Sequence, residues 1–429
     1  MKSEIIKIVL CSAIIAMGFL SCNDDKTISD SYKIPELSNL GAKLPHTVLK
    51  TVDKVEIRNG GFGSAATAHP TNKGEFYALT DRGANLKTAG GKIFPTPNYT
   101  PRIGHFKLKE NGEVEMIDEI LFKTPDGVVI SGRPNPEGYG TTGEIPYDLN
   151  MAVLETDRYG LDSEGLVALK DGTFWVSDEY GPHIVHFDAT GKELERISPV
   201  NVNTGKRKLP AVFERRWANR GMEGLAITPD EKTLVGIMQS TLYNPNKAEV
   251  ADFTITRIVT FNLETAKTKQ YLHKQEKAKN SNSEIVALSN TEFLIVERDG
   301  LFTGNDATAQ KHIYRIDITN ATDISGDDFN SLNGMLVNGK TIEQNTWEEL
   351  ETANIVPVTK ILAVDLVDKL SDYPHEKLEG IWLIDKSTIG VLNDDDFAVT
   401  GTDELNQKYL PSNKTEKDID GNTLYIVNF

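Results

Sequence analysis

The stretch SEGLVALKDGTFWVSDEYG, residues 163–181, contains a pattern that recurs along the chain. A short apolar run is followed by the turn residues Lys170-Asp171-Gly172 and by a second run rich in Val, Phe and Trp. Two apolar runs joined in this way are typical of a β-hairpin. Similar stretches are MEGLAITPDEKTLVGIMQS (222–240), SEIVALSNTEFLIVERDG (283–300), LEGIWLIDKSTIGVLNDDDF (378–397) and, more weakly, GSAATAHPTNKGEFYALTDRG (63–83).

A third run of alternating polarity follows most of these hairpins, as in HIVHFDA at 183–189 and RIVTFNL at 257–263. Three or four antiparallel strands in each repeat predict an all-β fold, a β-propeller. A solenoid is the alternative repeat architecture, although its repeats are shorter and more evenly spaced. The C-terminal run TLYIVNF at 423–429 is expected to pair with a strand at residues 54–58, because closing the ring removes exposed sheet edges.

The spacing of the repeats favours six blades. The aligned residues Glu164, Glu223, Glu284 and Glu379 are separated by 59, 61 and 95 residues, so the last interval has room for a further degenerate blade or a large insertion. Five blades would leave residues 323–377 unassigned. Because a closed ring needs no second subunit for its stability, we expect a monomer.

The chain has 46 Lys+Arg and 63 Asp+Glu residues, which give a formal net charge of −17. This charge argues against nucleic acid as a partner, because proteins hold phosphate backbones through basic surfaces. Hydrophobic residues make up 39% of the chain and charged residues 25%, as is usual for a globular protein with a large core.

The N-terminus has the features of an export signal. Lys2 and Lys7 precede an apolar run at residues 8–20, which is too short to span a bilayer. The string FLSC at its end resembles a bacterial lipobox, so we expect residues 1–21 to be a lipoprotein signal peptide and Cys22 to be lipidated. Residues 22–40 are then a tether, and residues 41–429 form the propeller domain. A chance cysteine after an ordinary signal peptide is the alternative.

Asp24 and Asp25, directly after this cysteine, resemble the export tag of surface lipoproteins in the Bacteroides group. We therefore expect an outer-membrane lipoprotein that faces the periplasm or the cell surface, with the lipid on Cys22 as its only membrane contact. Cys11 leaves with the signal peptide, so the mature chain has no second cysteine for an internal disulfide.

Four glutamates, Glu164, Glu223, Glu284 and Glu379, fall at the start of the first strand of their repeats. In a propeller this strand lines the central channel, so the four carboxylates would surround one axis. Like charges at close range raise each other's pKa, and a divalent cation or a set of arginines would stabilise them. Oxygen ligands favour Ca²⁺, or Mg²⁺, over Zn²⁺. Alternatively, each glutamate accepts backbone hydrogen bonds from the next blade and is structural.

A second acidic set, including Asp178 and Glu179, follows the second strands of the repeats. Basic residues are expected near the same rims, and arginine is the natural partner of planar or tetrahedral anions. Alternatively, each of these basic residues is an ordinary surface or salt-bridge residue. The chain contains no G-x-S-x-G, H-E-x-x-H or P-loop motif, which argues against a serine hydrolase of the α/β type. The basic and hydrogen-bonding residues expected near the same rims are Arg82, Arg158, His183, Arg220, Arg298 and Lys377.

The strings LDSEGLVALKDGTFWVSDEYGP, NRGMEGLAITPDEKTLVGIMQS, NSEIVALSNTEFLIVERDG and KLEGIWLIDKSTIGVLNDDDF, in this order, resemble the phytase-like family, described as having esterase-like activity of phytase. The resemblance implies an exported six-bladed propeller that depends on calcium and acts on phosphate monoesters. The aspartate-rich signatures of the well-characterised β-propeller phytases have no match, which argues against inositol hexakisphosphate as the substrate. The matching positions are Glu164, Asp178, Glu179, Arg220, Glu223, Glu284, Glu297, Arg298, Glu379, Asn393 and Asp394.

The leading functional hypothesis is a hydrolase of phosphomonoesters or related esters. A cation held by the four glutamates would polarise the phosphoryl oxygen and lower the pKa of a bound water. Arg220 and Arg298 would stabilise the developing charge, and Asp178 or Glu179 would act as the base. A non-catalytic surface propeller that binds a glycan, peptide or protein, and a lactonase-like propeller enzyme, are the alternatives. The residues expected to bind a small anionic ester are Arg82, Arg158, His183 and Lys377.

Overall fold

The computed structural model describes residues 32–370, 373–411 and 417–429. The expected signal peptide at residues 1–21 and the lipidation site Cys22 lie outside the described residues. The described end of the expected tether contacts the rest of the fold, since the Tyr32 hydroxyl donates a hydrogen bond to the Leu108 carbonyl (2.9 Å). Within these three ranges, no helix is both long enough and apolar enough to cross a membrane.

The described residues form five four-stranded antiparallel sheets, here called blades 1 to 5, arranged in a ring. From the inner strand outward, the strands are Ala65–Ala68, Glu75–Leu79, Arg102–Leu108 and Val114–Leu121 in blade 1; Ser163–Ala168, Phe174–Asp178, Ile184–Phe187 and Glu193–Ile197 in blade 2; Met222–Ile227, Thr233–Met238, Ile255–Asn262 and Thr268–Lys274 in blade 3; Ser281–Ala287, Glu292–Arg298, Lys311–Asp317 and Thr359–Asp365 in blade 4; and Ile381–Leu383, Thr388–Leu392, Thr423–Asn428 and Ala42–Lys43 in blade 5.

Shorter elements occupy the connections between strands and between blades. They are the hairpins Val48–Val52 with Val55–Arg58, Leu336–Val337 with Lys340–Thr341 and Val399–Thr400 with Asn406–Gln407; a three-stranded sheet of Leu86–Thr88, Gly91–Ile93 and Ile145–Tyr147; the α-helices Trp347–Thr352 and Leu366–Lys369; and the 3-10 helices Ala211–Arg215, Lys247–Glu249, Ile342–Gln344 and Asp396–Ala398.

The all-β propeller expected from the repeats is confirmed, but the described part of the chain has five blades rather than six. The inner strand of each blade contacts the inner strands of its two neighbours, and blade 5 contacts blade 1, so five blades close the ring. The long interval before Glu379 contains an insertion in blade 4. Its residues Ile342 and Leu350 pack against Leu272 of blade 3, and Glu343 forms a fully buried ion pair with Arg257 (2.6 Å).

The two ends of the described chain meet in blade 5, although the strand pairing differs from the one expected. The C-terminal strand Thr423–Asn428 pairs with Ala42–Lys43, whereas Val55–Arg58 pairs with Val48–Val52. The reason is a two-residue turn, in which Asp53 and Lys54 have φ values of 46° and 73°. Two successive left-handed residues are typical of a tight hairpin. This turn therefore pairs Val55–Arg58 with Val48–Val52, the strand directly before it in the chain.

Apolar side chains fill the spaces between adjacent blades. Between blades 1 and 2, for example, Leu79 and Ile103 pack with Leu166 and Val176, and all four are fully or almost fully buried. Similar clusters lie between the other neighbouring blades. Because closely packed interiors deform little, this packing fixes the positions of the inner strands and of the polar side chains at their starts.

Candidate functional site

A polar cavity of about 450 Å³ lies where the inner strands begin and the second strands end. Seven acidic and seven basic side chains line it, so their formal charges cancel. The cavity therefore gains a net positive charge once a divalent cation is present. The acidic residues are Asp81, Glu164, Glu179, Glu223, Glu376, Glu379 and Asp396, and the basic residues are Arg82, Lys87, Lys92, Arg220, Lys279, Arg298 and Lys377.

One wall of the cavity comes from loops of blades 1 and 5. The Lys87 backbone amide donates to the Gly401 carbonyl (3.3 Å), and the Asp403 amide donates to the Lys87 carbonyl (2.9 Å). Lys87 belongs to the three-stranded sheet, whose middle strand Gly91–Ile93 carries Lys92 into the cavity. These hydrogen bonds hold the sheet against blade 5.

A β-bulge places each of two glutamates at the start of an inner strand. Ser163 and Gly165 pair with consecutive residues of the next strand, so Glu164 is the extra residue of the bulge. Glu223 is the extra residue at the same position of blade 3. Bulges redirect a side chain, and both of these glutamates line the cavity.

Glu284 does not line the cavity, although its repeat aligns with those of Glu164 and Glu223. In blade 4 the register shift falls one residue earlier, at Ser283, and Glu284 itself pairs with Val296. Its carboxylate accepts hydrogen bonds from the backbone amides of Ile285 (2.9 Å) and Ala66 (3.4 Å). Glu284 thus has the backbone-binding geometry of the structural alternative, as a link between blades 4 and 1.

The fourth aligned glutamate, Glu379, lines the cavity and forms a short ion pair with Arg298. Arg298 also donates to the Ser283 hydroxyl (3.0 Å). Burial acts to lower the pKa of Arg298, but Glu379 and Glu223 raise it above its usual value. The Arg298 guanidinium therefore already neutralises the Glu379 carboxylate, and Glu379 needs no metal ion as a partner.

A candidate cation site lies where blades 1 and 2 meet. One carboxylate oxygen each of Asp81, Asp162 and Glu164 lies within 4.8 Å of the other two. All three residues are buried. Burial and the neighbouring Asp162 raise the pKa of Asp81 to about 8. Burial and Glu223 raise the pKa of Glu164 well above its usual value, so the Arg82 guanidinium, which contacts Asp162 (3.2 Å), does not fully compensate the three carboxylates.

Glu179 and Glu223 extend this acidic cluster toward blade 3. Gln239 donates one hydrogen bond to each of them, at 3.0 Å to Glu179 and 2.6 Å to Glu223. The second carboxylate oxygen of Glu223 is buried and has no hydrogen-bond partner among the described residues. Burial and Glu379 raise the pKa of Glu223 to about 8. An unpartnered buried oxygen beside three clustered carboxylates fits a hard cation with oxygen ligands.

Three further basic side chains of the cavity differ in how far they are already paired. Arg82 contacts Asp162 (3.2 Å) and donates to the Asn219 side chain (2.5 Å), and Lys377 contacts Asp394 and Asp396. Arg220 forms no ion pair within the described residues. It donates to the Ser240 hydroxyl (3.0 Å) and lies 4.2 Å above the Trp217 ring. Arg220 is therefore the arginine of the cavity that remains available to an anion.

Besides Glu284, three residues expected at the site lie outside the cavity. Asp178 is fully buried and accepts hydrogen bonds from the backbone amides of Gly181 (2.6 Å) and Asp162 (2.9 Å), so it shapes the turn that carries Asp162. His183 is fully buried, with its Nδ1 atom 2.8 Å from the Ser198 hydroxyl. Arg158 is exposed and stacks on Tyr139. None of the three lines the cavity, whereas Glu179, Arg220, Arg298, Arg82 and Lys377 do.

Comparison with known proteins identifies a family and distant relatives. A family model described as phytase-like, with esterase-like activity of phytase, matches residues 57–397. An uncharacterized secreted protein of Arthroderma benhamiae is 28% identical over 383 residues, which cover 71% of this chain and 72% of that protein. A Dyadobacter fermentans protein of unknown function is 12% identical, with a TM-score of 0.37, over 90% of this chain and 99% of its own. The β-propeller domain of Cps50 (Swd1) from Myceliophteria thermophila is 11% identical, with a TM-score of 0.29, over 77% of this chain and 68% of its own.

Proposed function

The chain belongs to the phytase-like family, and from this membership and the channel cavity we propose that it is an exported, cation-dependent hydrolase of phosphomonoesters. The observation that carries the proposal is the buried carboxylate group of Asp81, Asp162 and Glu164, with the unpartnered oxygen of Glu223 beside it. The proposed cation set differs from the four aligned glutamates. It retains Glu164, with Glu223 beside it, adds Asp81 and Asp162, and leaves out Glu284 and Glu379.

Ca²⁺ is the cation that we assign to this group, because the ligands are oxygen atoms of side chains from two blades. Ca²⁺ accepts six to eight oxygen ligands in flexible geometry, whereas Mg²⁺ requires a tighter octahedron. A bound cation supplies Lewis-acid activation of a water and of the phosphoryl oxygen. Burial and the charge of Glu223 raise the pKa of Glu164 and of Glu179, and a bound cation would offset the repulsion among these carboxylates.

The protein side chains would bind the ester and move its protons. Arg220 can donate two hydrogen bonds to a phosphoryl group, since no carboxylate among the described residues pairs with it. Glu179 would accept the proton of the attacking water, and its hydrogen bond from Gln239 holds the carboxylate in the cavity. With all of its carboxylates ionised, the cavity gains a net positive formal charge from a divalent cation, so the loaded cavity favours an anionic ester over a neutral one.

Export is proposed on two grounds. The N-terminal sequence has the pattern of a lipoprotein signal peptide with Cys22 as the lipidation site, and the relative from Arthroderma benhamiae is described as secreted. We place the domain at the outer membrane, in the periplasm or at the cell surface, as a monomer that contacts the membrane through its lipid alone.

An ester panel tests the reaction class. The exported chain should release nitrophenol from nitrophenyl phosphate in the presence of Ca²⁺, lose this activity on chelation and regain it when Ca²⁺ is restored. Nitrophenyl acetate and a lactone should be turned over at least tenfold more slowly. Phosphatase activity that survives chelation contradicts the cation mechanism. Faster turnover of the lactone or the acetate contradicts a phosphomonoesterase, and no turnover of any ester contradicts a hydrolase.

The substitution Arg220→Met should lower kcat/KM for nitrophenyl phosphate by about 10²-fold, because removal of one preorganised donor to the developing charge costs roughly this factor. Met preserves much of the length of the side chain and its packing on Trp217. Arg158→Met is the matched control, since Arg158 was also expected from the sequence to bind the substrate but lies outside the cavity. Steady-state kinetics of both variants should separate them. Equal losses would contradict a specific role for Arg220.

A further inference from the structure

Lys92 projects into the cavity from the middle strand of the three-stranded sheet. Its ammonium donates a hydrogen bond to the Asn85 side-chain oxygen (3.1 Å), which orients the lysine from the same wall. Across the described ranges of the chain, no carboxylate lies within ion-pair distance of this nitrogen. Its position contrasts with that of Lys377, which contacts both Asp394 and Asp396.

The charged groups around Lys92 come from several parts of the site. Burial lowers the pKa of Lys92 to about 8, and the Arg82 guanidinium acts in the same direction. Glu144, Asp162 and Glu179 act in the opposite direction but do not outweigh burial. The nitrogen can therefore carry a proton at neutral pH and release it without a large penalty.

The other basic residues of the cavity are less suited to releasing a proton. Arg82, Arg220 and Arg298 carry guanidinium groups, which do not lose their protons in proteins. Lys377 is held in its charged form by its two aspartates, which raise its pKa although burial acts to lower it. Lys87 and Lys279 are exposed to solvent. Lys92 is half-buried and faces the cavity that Asp81 and Glu164 of the proposed cation site also line.

We propose that Lys92 is the general acid that protonates the leaving oxygen of the ester. This role rests on the proposed phosphomonoesterase function. In the step, the oxygen of a water forms a bond to phosphorus and one proton of the water passes to Glu179. The bond between phosphorus and the leaving oxygen breaks, its electron pair stays on that oxygen, and the oxygen takes a proton from Lys92. The products are an alcohol and phosphate, after which solvent returns a proton to Lys92 and removes one from Glu179.

Dependence on the leaving group tests this role. Nitrophenolate is a stable anion and needs little protonation, whereas an alkoxide leaves only with a proton. We expect Lys92→Met to lower kcat by 10²-fold or more on ethyl phosphate, and by less than tenfold on nitrophenyl phosphate, since general acid catalysis contributes typically 10²–10⁴-fold. The wild-type rate on ethyl phosphate should fall above about pH 8, and the variant should lose this alkaline limb.

Lys92→Arg separates proton donation from charge. It keeps a cation at this position, but a guanidinium holds its proton too tightly to donate it, so KM should stay within about threefold of wild type while kcat on ethyl phosphate remains low. Thermal unfolding and calcium titration of both variants check that the cavity is intact. Recovery of ethyl phosphate turnover in Lys92→Arg, or equal losses on both esters in Lys92→Met, would overturn the role of Lys92 alone. A wild-type protein that hydrolyses neither ester would overturn the proposed function, and the role of Lys92 with it.

Discussion

The substitution Glu164→Gln is expected to lower the calcium affinity of the protein by more than about 100-fold, and to remove most of the calcium-dependent hydrolysis. Glu164 belongs to the three-carboxylate group proposed to bind the cation, and its neighbours Asp81 and Asp162 alone supply too few oxygen ligands for Ca²⁺. Loss even of a group that only orients a ligand typically costs 10–100-fold in metal affinity, so loss of a ligand should cost more. Calorimetric titration with Ca²⁺ and with Mg²⁺ measures the change.

The same substitution should leave the fold of the cation-free protein intact. Burial and Glu223 raise the pKa of Glu164 well above its usual value, so the folded protein favours the protonated carboxyl group when no cation is bound. A carboxamide closely resembles a neutral carboxyl group in size and polarity. The melting temperature of the chelated variant should therefore match that of the chelated wild type, and only the increase caused by Ca²⁺ should disappear.

Glu284→Gln is the matched control, because Glu284 occupies the aligned position of its repeat but lies outside the cavity. The amide oxygen of Gln can still accept the shorter hydrogen bond, from the Ile285 amide (2.9 Å), and only the longer one from Ala66 (3.4 Å) is lost. Its calcium affinity should stay within about twofold of wild type. A loss of affinity in Glu284→Gln as large as that in Glu164→Gln would instead support a cation held by the ring of four aligned glutamates.

Whether each of these glutamates lines the cavity depends on the residue that follows it in the chain. Gly165 and Gly224 follow the cavity glutamates, and a Cβ atom at Gly224 would lie only 2.6 Å from the Ile285 amide nitrogen. Blade 4 has Ile285 where the repeats of Glu164, Glu223 and Glu379 have glycine, and its bulge falls one residue earlier. Repeat spacing therefore predicted the propeller and the channel, but not the direction of each side chain, which depends on the local register.

Other parts of the site gave no repeating signal. Asp162 immediately precedes the repeat of blade 2, and no aspartate occupies the corresponding position before Glu223, Glu284 or Glu379. Lys92 lies in a connection of blade 1 that has no counterpart in the other repeats. The sixth blade was predicted from the long interval before Glu379, but an insertion in blade 4 that packs against blade 3 occupies part of that interval. Contacts between distant segments decided all three outcomes, and the sequence pattern does not encode them locally.

The cation-free protein should lose stability as the pH rises from 7 to 8. Folding raises the pKa of Asp81 and Glu223 to about 8, so between these pH values the folded chain holds protons that the unfolded chain has already released. Stability then falls with pH, because the folded state binds more protons. We expect a decrease on the order of 1 kcal/mol in the free energy of unfolding, measured by denaturant titration in the presence of a chelator.

The groups with lowered pKa do not reverse this trend within the chosen window. His183 and His273 make stability rise with pH, but only up to about their unfolded pKa of 6.5. The lowered pKa of Lys92 makes stability rise with pH mainly between about pH 8 and the usual lysine pKa of 10.5. The interval from pH 7 to 8 thus reports chiefly on the buried carboxyl groups.

Calcium should suppress this pH dependence, because cation binding requires the ligand carboxylates to be deprotonated. Saturating Ca²⁺ is therefore expected to raise the melting temperature more at pH 8 than at pH 7. Glu223→Gln removes one titrating group, so the chelated variant should show a shallower decrease and should be more stable than the chelated wild type at pH 8. A wild-type stability that rises with pH over this interval, or an equal effect of Ca²⁺ at both pH values, would contradict a cation site built from these carboxyl groups.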